Sequence, residues 1–330
     1  MYCNMVRLLQ VLALLVIAAP AGAHDVDLTK LPVGDDGYSG SPRLGKVFSC
    51  QRVFNKNAPG AQATGAWKRA DGTYDLTIKP FVPGEVKHVS ELSIERQSDG
   101  RRVTGNGLPD HPTGIYPVPN SSEAARYDRN PGRIQAQKID LRLPAEPQAA
   151  AEPGCLPMGA IGIMLSGSVL FHALDARGDD AQANEILDAC AGHPQQQGVY
   201  HYHGHSPCWQ DGHDAAGHSI LVGYAADGFG IFGWDDVGGK LLHTADLDEC
   251  HGHVGPVEWD GRIVEMYHYH ITPDFPYSVS CYKGAPVQFG LGGPSGPPSA
   301  GGGPGHGPRQ GDMGRGPPPG GGRMPPPPRP

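Results

Sequence analysis

The chain has 330 residues, a formal net charge of −8 and 16 histidines, 11 of which fall between His193 and His270. With no Lys/Arg cluster in the part able to fold, a nucleic-acid partner is not expected. Residues 61–284 are long enough to bury a core without a metal in place of apolar surface, so any metal they hold belongs to chemistry rather than to folding.

At the N-terminus, Arg7 precedes an apolar run from Leu8 to Ala19, followed by Pro20 and Ala21-Gly22-Ala23. The run is shorter than the ~20 residues that span a bilayer. With its charged flank and small-x-small site it predicts a secretory signal peptide over residues 1–23. A periplasmic or extracellular protein, with no membrane span after cleavage, is expected. Cleavage after Ala23 would make His24 the mature N-terminus, where its amine and ring can chelate copper. Six cysteines then remain, and an oxidising compartment pairs them; six allow 15 pairings.

Residues 24–60 read as an N-terminal extended segment. From Thr73, Tyr74, Leu76 and Ile78 alternate with Asp75, Thr77 and Lys79 before Pro80 and Pro83-Gly84 break the pattern, which predicts short antiparallel strands up to Ile94. Asn106 to Gly114 is rich in turn formers and predicts a loop carrying His111. Ile161–Phe171 and Ile220–Phe232 are apolar and glycine-rich without helical spacing, so each predicts buried strands joined by a tight turn. Asp179–Ala189 is the helical candidate, with Ala183, Ile186 and Leu187 on one face. Residues 285–330 are Gly and Pro with little apolar bulk and are expected to form a disordered tail. The expected fold class is mostly β (β-rich α+β), loop-rich and disulfide-stapled.

Asp188, Cys190, Gly192 and His193 recur as Asp248, Cys250, Gly252 and His253, displaced by 60 residues. Tyr200-His201-Tyr202-His203 recurs as Tyr267-His268-Tyr269-His270 at 67, and Cys208 as Cys281 at 73. Upstream, Gly162, Gly167 and Leu170-Phe171 match Gly223, Gly228 and Ile231-Phe232 at 61. This order predicts an internal duplication, with repeats at about 156–208 and 218–281 packed about an approximate two-fold axis. On that logic Cys190 pairs with Cys208 and Cys250 with Cys281, leaving Cys50 for Cys155.

In a strand, residues i and i+2 share a face, so His201 and His203 point one way while Tyr200 and Tyr202 point the other. Two such imidazoles joined by a third converge on one ion, as in three-His zinc and copper sites. The expected ligands for copper or zinc are His193, His201 and His203 in one half and His253, His268 and His270 in the other. Asp188 and Asp248 are expected to hold the ligands' outer ring nitrogens. Were the two Tyr-His-Tyr-His strands to face each other across the axis, His201, His203, His268 and His270 would form one shared site instead. His111 and His218 are further candidates, placed to fold over the site, whereas His205, His213 and His251 lie in turns expected to be exposed. Three histidines leave a coordination position for water, so a secreted metalloenzyme is the alternative function. A structural or interaction module that binds no metal is the second.

Asn106-Gly107-Leu108-Pro109-Asp110-His111, Gly223 to Phe229, Asp248 to His253, Tyr267 to His270 and Asp274-Phe275-Pro276-Tyr277 resemble the YHYH-domain family of secreted proteins. The resemblance covers roughly Thr73 to Gly284. It implies a secreted, mostly β domain with cysteines near its histidine elements, and it implies no particular reaction.

Overall fold

The computed structural model describes residues 26–58 and 64–293; the predicted signal peptide, His24 and the chain beyond 293 lie outside them. The described fold is mostly β. Its centre is an eight-stranded sheet, built from β1 (Ala160–Met164), β2 (Val169–Phe171), β3 (Gly192–Pro194), β4 (Tyr200–Tyr202), β5 (Leu221–Ala225), β6 (Gly230–Phe232), β7 (Gly252–Trp259) and β8 (Arg262–His270).

The strand order is β3-β4-β2-β1-β5-β6-β8-β7. At its middle β1 and β5 run antiparallel, with Ile163 opposite Tyr224. Outward on each side comes an antiparallel hairpin partner, then a parallel neighbour, then an antiparallel edge strand. The registers correspond as well. Leu170 lies opposite Tyr202 as Ile231 lies opposite Tyr269, and His193 opposite His201 as His253 lies opposite His268. The β1–β2 and β5–β6 turns contain Gly167 at φ 98° and Gly228 at φ 89°, left-handed conformations that a side chain rarely adopts.

Ile161, Ile163, Leu170, Tyr202, Ile231, Tyr269 and Cys281 are fully buried in one continuous core. That core also takes Val103 and Leu143 from a three-stranded antiparallel sheet of Leu92–Gln97, Gly100–Gly105 and Ile139–Leu143. Disulfides join Cys50 to Cys155, Cys190 to Cys208 and Cys250 to Cys281. Among the described residues no helix is long and apolar enough to cross a membrane.

Three local expectations change. The strands predicted from Thr73 shrink to Thr73–Tyr74, because the Asp75 carboxylate accepts from the amide and hydroxyl of Thr77 and turns the chain, leaving Ile78 exposed. The predicted helix shrinks to Ala181–Asn184, capped by the Asp180 side chain and ended by Glu185 in an extended conformation. The start of the predicted tail, residues 285–293, lies on the core instead: the Val287 amide donates to the Ala226 carbonyl, the Ala160 amide to that of Leu291, and Phe289 is buried.

Candidate metal centres

Each edge of the sheet carries a histidine cluster, and the same local construction precedes both. Asp188 Oδ1 accepts the amides of Cys190 and Gly192 at 2.9 and 3.2 Å, and Asp248 Oδ1 those of Cys250 and Gly252 at 2.9 and 3.1 Å. These bonds close a tight loop that puts Ala191 and His251 in the left-handed region, at φ 57° and 75°. The glycine that follows is required by crowding. A Cβ on Gly192 would lie 2.3 Å from the Tyr200 ring, and one on Gly252 would lie 2.5 Å from the Tyr267 hydroxyl and 2.4 Å from the His268 carbonyl oxygen. The chain then enters the edge strand with His193 or His253 beside the next strand's first histidine.

In the first cluster His203 Nε2 stands 3.4 Å from His193 Nε2 and 3.1 Å from His201 Nε2, and all three residues are buried. In the second, His253 Nε2 is 3.2 Å from His270 Nε2 and His218 Nε2 is 3.2 Å from His268 Nε2. The nitrogens within each cluster lie within 4.8 Å of one another. His253 is the partly exposed member, so the second cluster opens to solvent there.

The outer ring nitrogens fix the chemistry. His201 Nδ1 faces the carbonyl oxygen of Val199 at 3.1 Å and His203 Nδ1 that of His172 at 2.6 Å. His218, His268 and His270 do the same with Ser219, Met266 and Gly233 at 2.7, 3.1 and 2.7 Å. A carbonyl only accepts, so Nδ1 must carry the proton in all five. Burial lowers the pKa of His203 to about 4 and that of His268 to about 3, and holds those of His193, His201 and His270 well below 6.5. The rings of His201, His203, His268 and His270 are therefore neutral at pH 7, and each turns a bare Nε2 lone pair inward. The Nε2 atoms in contact within the clusters stand 3.1–3.4 Å apart, and the lone pairs of His201 and His203, at 3.1 Å, repel unless a cation sits between them. For metal–nitrogen bonds of 2.0–2.1 Å, the edge of a coordination tetrahedron is about 3.3 Å, which matches these spacings.

The two clusters share no ligand. Their strands β4 and β8 stand five positions apart in the sheet, about 24 Å along it at ~4.8 Å per strand. That separation excludes a single site made of His201, His203, His268 and His270.

Asp188 and Asp248 do not touch the outer nitrogens. They accept from the hydroxyls of Tyr200 and Tyr267, each at 2.9 Å, and from their own loop amides, while backbone carbonyls hold the rings of His201, His203, His218, His268 and His270, and Asn130 Nδ2 lies 3.5 Å from Nδ1 of His193. The tyrosine side of the strand is thus a separate hydrogen-bonded layer. His111 belongs to it: its Nε2 is 2.6 Å from the Tyr202 hydroxyl, and the neighbouring Cys190 and Cys208 are bonded to each other, leaving no thiolate. His251 is buried, not exposed, and bonds Thr272 Oγ1 at 2.9 Å.

Sequence patterns missed Glu185, whose Oε2 lies 3.2 Å from His193 Nε2 and 3.4 Å from His203 Nε2. That oxygen and His172 Nε2 are buried without a hydrogen-bond partner, whereas every ring nitrogen of the second cluster is either partnered or not fully enclosed. Burial, then the nearby Asp175 and Asp128, push the Glu185 carboxyl well above its usual range.

A family model described as YHYH protein matches residues 140–240. The matched segment includes β1 to β6, the first histidine cluster and His218, and stops short of His253, His268 and His270. No curated protein and no solved structure matches the chain.

Proposed function

We propose that this chain is an exported protein that binds two transition-metal ions, copper or zinc, in separate histidine centres at opposite edges of one sheet. The first centre uses His193, His201 and His203; the second uses His253, His268 and His270 with His218. The observation that carries this reading is the set of Nε2 atoms gathered at tetrahedral spacing, with those of His201, His203, His218, His268 and His270 turned inward by a carbonyl at Nδ1. Three disulfides fit an oxidising compartment, as does the apolar run before Ala23.

Internal duplication accounts for the common construction. It is supported by the pairing of Met164 with Gly223, Ile163 with Tyr224 and Gly162 with Ala225, which is unchanged when residue i is exchanged for i+61, as a two-fold axis at the Ile163–Tyr224 pair requires. The domain of residues 61–284 then contains two fused repeats, at about 156–208 and 218–281. Neither metal requires a thiolate, and neutral imidazole suits both.

The test is metal analysis of the purified full chain, followed by thermal melting in chelator and with zinc or copper restored. Two ions per chain and a melting temperature that rises with added metal are expected. Less than one ion per chain, with no shift for any divalent metal, overturns the proposal.

A further inference from the structure

We infer that Glu185 closes the first centre as an anionic ligand, so that the chain carries one centre of three imidazoles and a carboxylate beside one of four imidazoles. This rests on the two-centre reading above and adds the identity of a ligand, with a consequence for which ion each centre prefers.

The placement of Glu185 follows from the short helix. At its C-terminal cap Glu185 takes φ −90° and ψ 148°, and this extended conformation ends the helix after one turn. Oε2 then stands 3.2 Å from His193 Nε2 and 3.4 Å from His203 Nε2, close to the 3.4 and 3.1 Å that separate His203 from the other two imidazoles, and makes no such approach to His201. His203 has its proton on Nδ1, committed to the His172 carbonyl oxygen, so its Nε2 offers Glu185 no hydrogen. A buried carboxylate oxygen that faces the His203 lone pair and has no hydrogen bond of its own is relieved by a cation in the space they share. The alternatives are a proton on Glu185 or one on Nε2 of His193, whose Nδ1 faces the Asn130 amide nitrogen at 3.5 Å rather than a carbonyl.

In the second centre the position is filled differently. His218 comes from the loop before β5 and puts Nε2 3.2 Å from His268 Nε2, a neutral donor where the first centre has a charged one. The carboxylate attracts a divalent ion about twice as strongly as a monovalent one, by Coulomb's law, and oxygen donors suit harder cations. The first centre therefore favours zinc(II) over copper(I) through Glu185, a selectivity the four-imidazole centre does not share.

The experiment isolates the first centre in a His268→Ala/His270→Ala chain and compares it with the same chain carrying Glu185→Gln. Glu185→Gln keeps the shape and removes the charge. We expect zinc affinity to fall at least about tenfold, the range reached when even indirect partners of a ligand are lost, copper(I) affinity to fall less, and the visible spectrum of the cobalt(II) form to change. Zinc loading of the chain with Glu185 intact should also shift a carboxylate stretch in the infrared difference spectrum, a readout that does not require the Gln variant to fold. Unchanged zinc affinity and cobalt spectrum in Glu185→Gln, or no carboxylate shift on loading, overturns the assignment while leaving the two centres standing. Failure of the chain with Glu185 intact to bind any metal overturns both.

Discussion

If the two centres are independent, deleting one must leave the other untouched. Consider His201→Ala/His203→Ala, which strips the first centre to His193 and Glu185, and His268→Ala/His270→Ala, which strips the second to His218 and His253. The clusters share no ligand and stand five strand positions apart, so their contributions should add. An ion present at a hundredfold its dissociation constant stabilises the folded chain by ~2.7 kcal/mol. For a domain of this size that corresponds to about 5–10 °C in melting temperature per centre. Each double variant should therefore bind one ion and show about half the metal-induced shift of the parent; the quadruple variant should bind none and show no shift. Calorimetric melts with and without metal, paired with metal analysis, read both quantities. Loss of both ions from either double variant, or a shift that vanishes in one and persists in full in the other, refutes the geometry.

Other consequences follow from the loops and the buried rings. Gly192→Ala and Gly252→Ala each place a Cβ 2.5 Å or less from a tyrosine ring or its hydroxyl, and each should cost about 1–3 kcal/mol or more in urea unfolding and weaken metal binding at its own centre. Burial has lowered His203 to about 4 from 6.5, so its contribution is present above pH 6.5 and is lost as pH falls through 4. That gap corresponds to about 3 kcal/mol. In chelator, His203→Gln should therefore gain about 3 kcal/mol relative to the parent between pH 7 and pH 4, and a constant difference in denaturant melts would contradict this. Asp180, raised by burial to about 6, acts in the opposite sense, which is why the difference between variants and not the parent's own profile is the informative measurement. Separate removal of the disulfides should cost about 3 kcal/mol for Cys190–Cys208 and about 5 for Cys50–Cys155, in keeping with separations of 18 and 105 residues.

What the sequence made legible was local. The i, i+2 spacing of His201 and His203 sets them on one face whatever the strand pairs with, and Asp-x-Cys-x-Gly-His carries its own loop chemistry. The rest depends on neighbours distant in the chain. The groups that hold the outer nitrogens are backbone carbonyls, which any residue supplies, so Asp188 and Asp248 drew attention as acids when their partners are Tyr200 and Tyr267. Glu185 sits in a stretch with helical spacing, and only the tertiary fold stops that helix at Asn184 and brings the carboxylate to the histidines. His218 was visible as a histidine before a strand, but its distance from His268 is a property of the assembled sheet.

The division of each Tyr-His-Tyr-His strand into two faces explains how its imidazoles are held at close spacing. Bringing the neutral lone pairs of His201 and His203 within 3.1 Å in a buried space is unfavourable, and the strand bears that cost because its other face is firmly held. Tyr200 and Tyr267 bond their loop aspartates, Tyr269 donates to Asp227 at 2.6 Å, and Tyr202 meets His111 and Ser166 at 2.6 and 3.0 Å. These bonds fix the strand's height and rotation, so the imidazoles cannot swing apart to relieve their repulsion. A cation between them removes that repulsion without moving the scaffold. Loss of a tyrosine hydroxyl should therefore loosen the metal-free centre more than it weakens the loaded one, and Tyr202→Phe, whose hydroxyl lies on the face away from the ion, is the variant in which that difference is cleanest. Amide hydrogen exchange on β4 should quicken in chelator and return towards the parent rate on metal addition. Equal acceleration in both states would mean that the tyrosine layer does not pre-position the ligands.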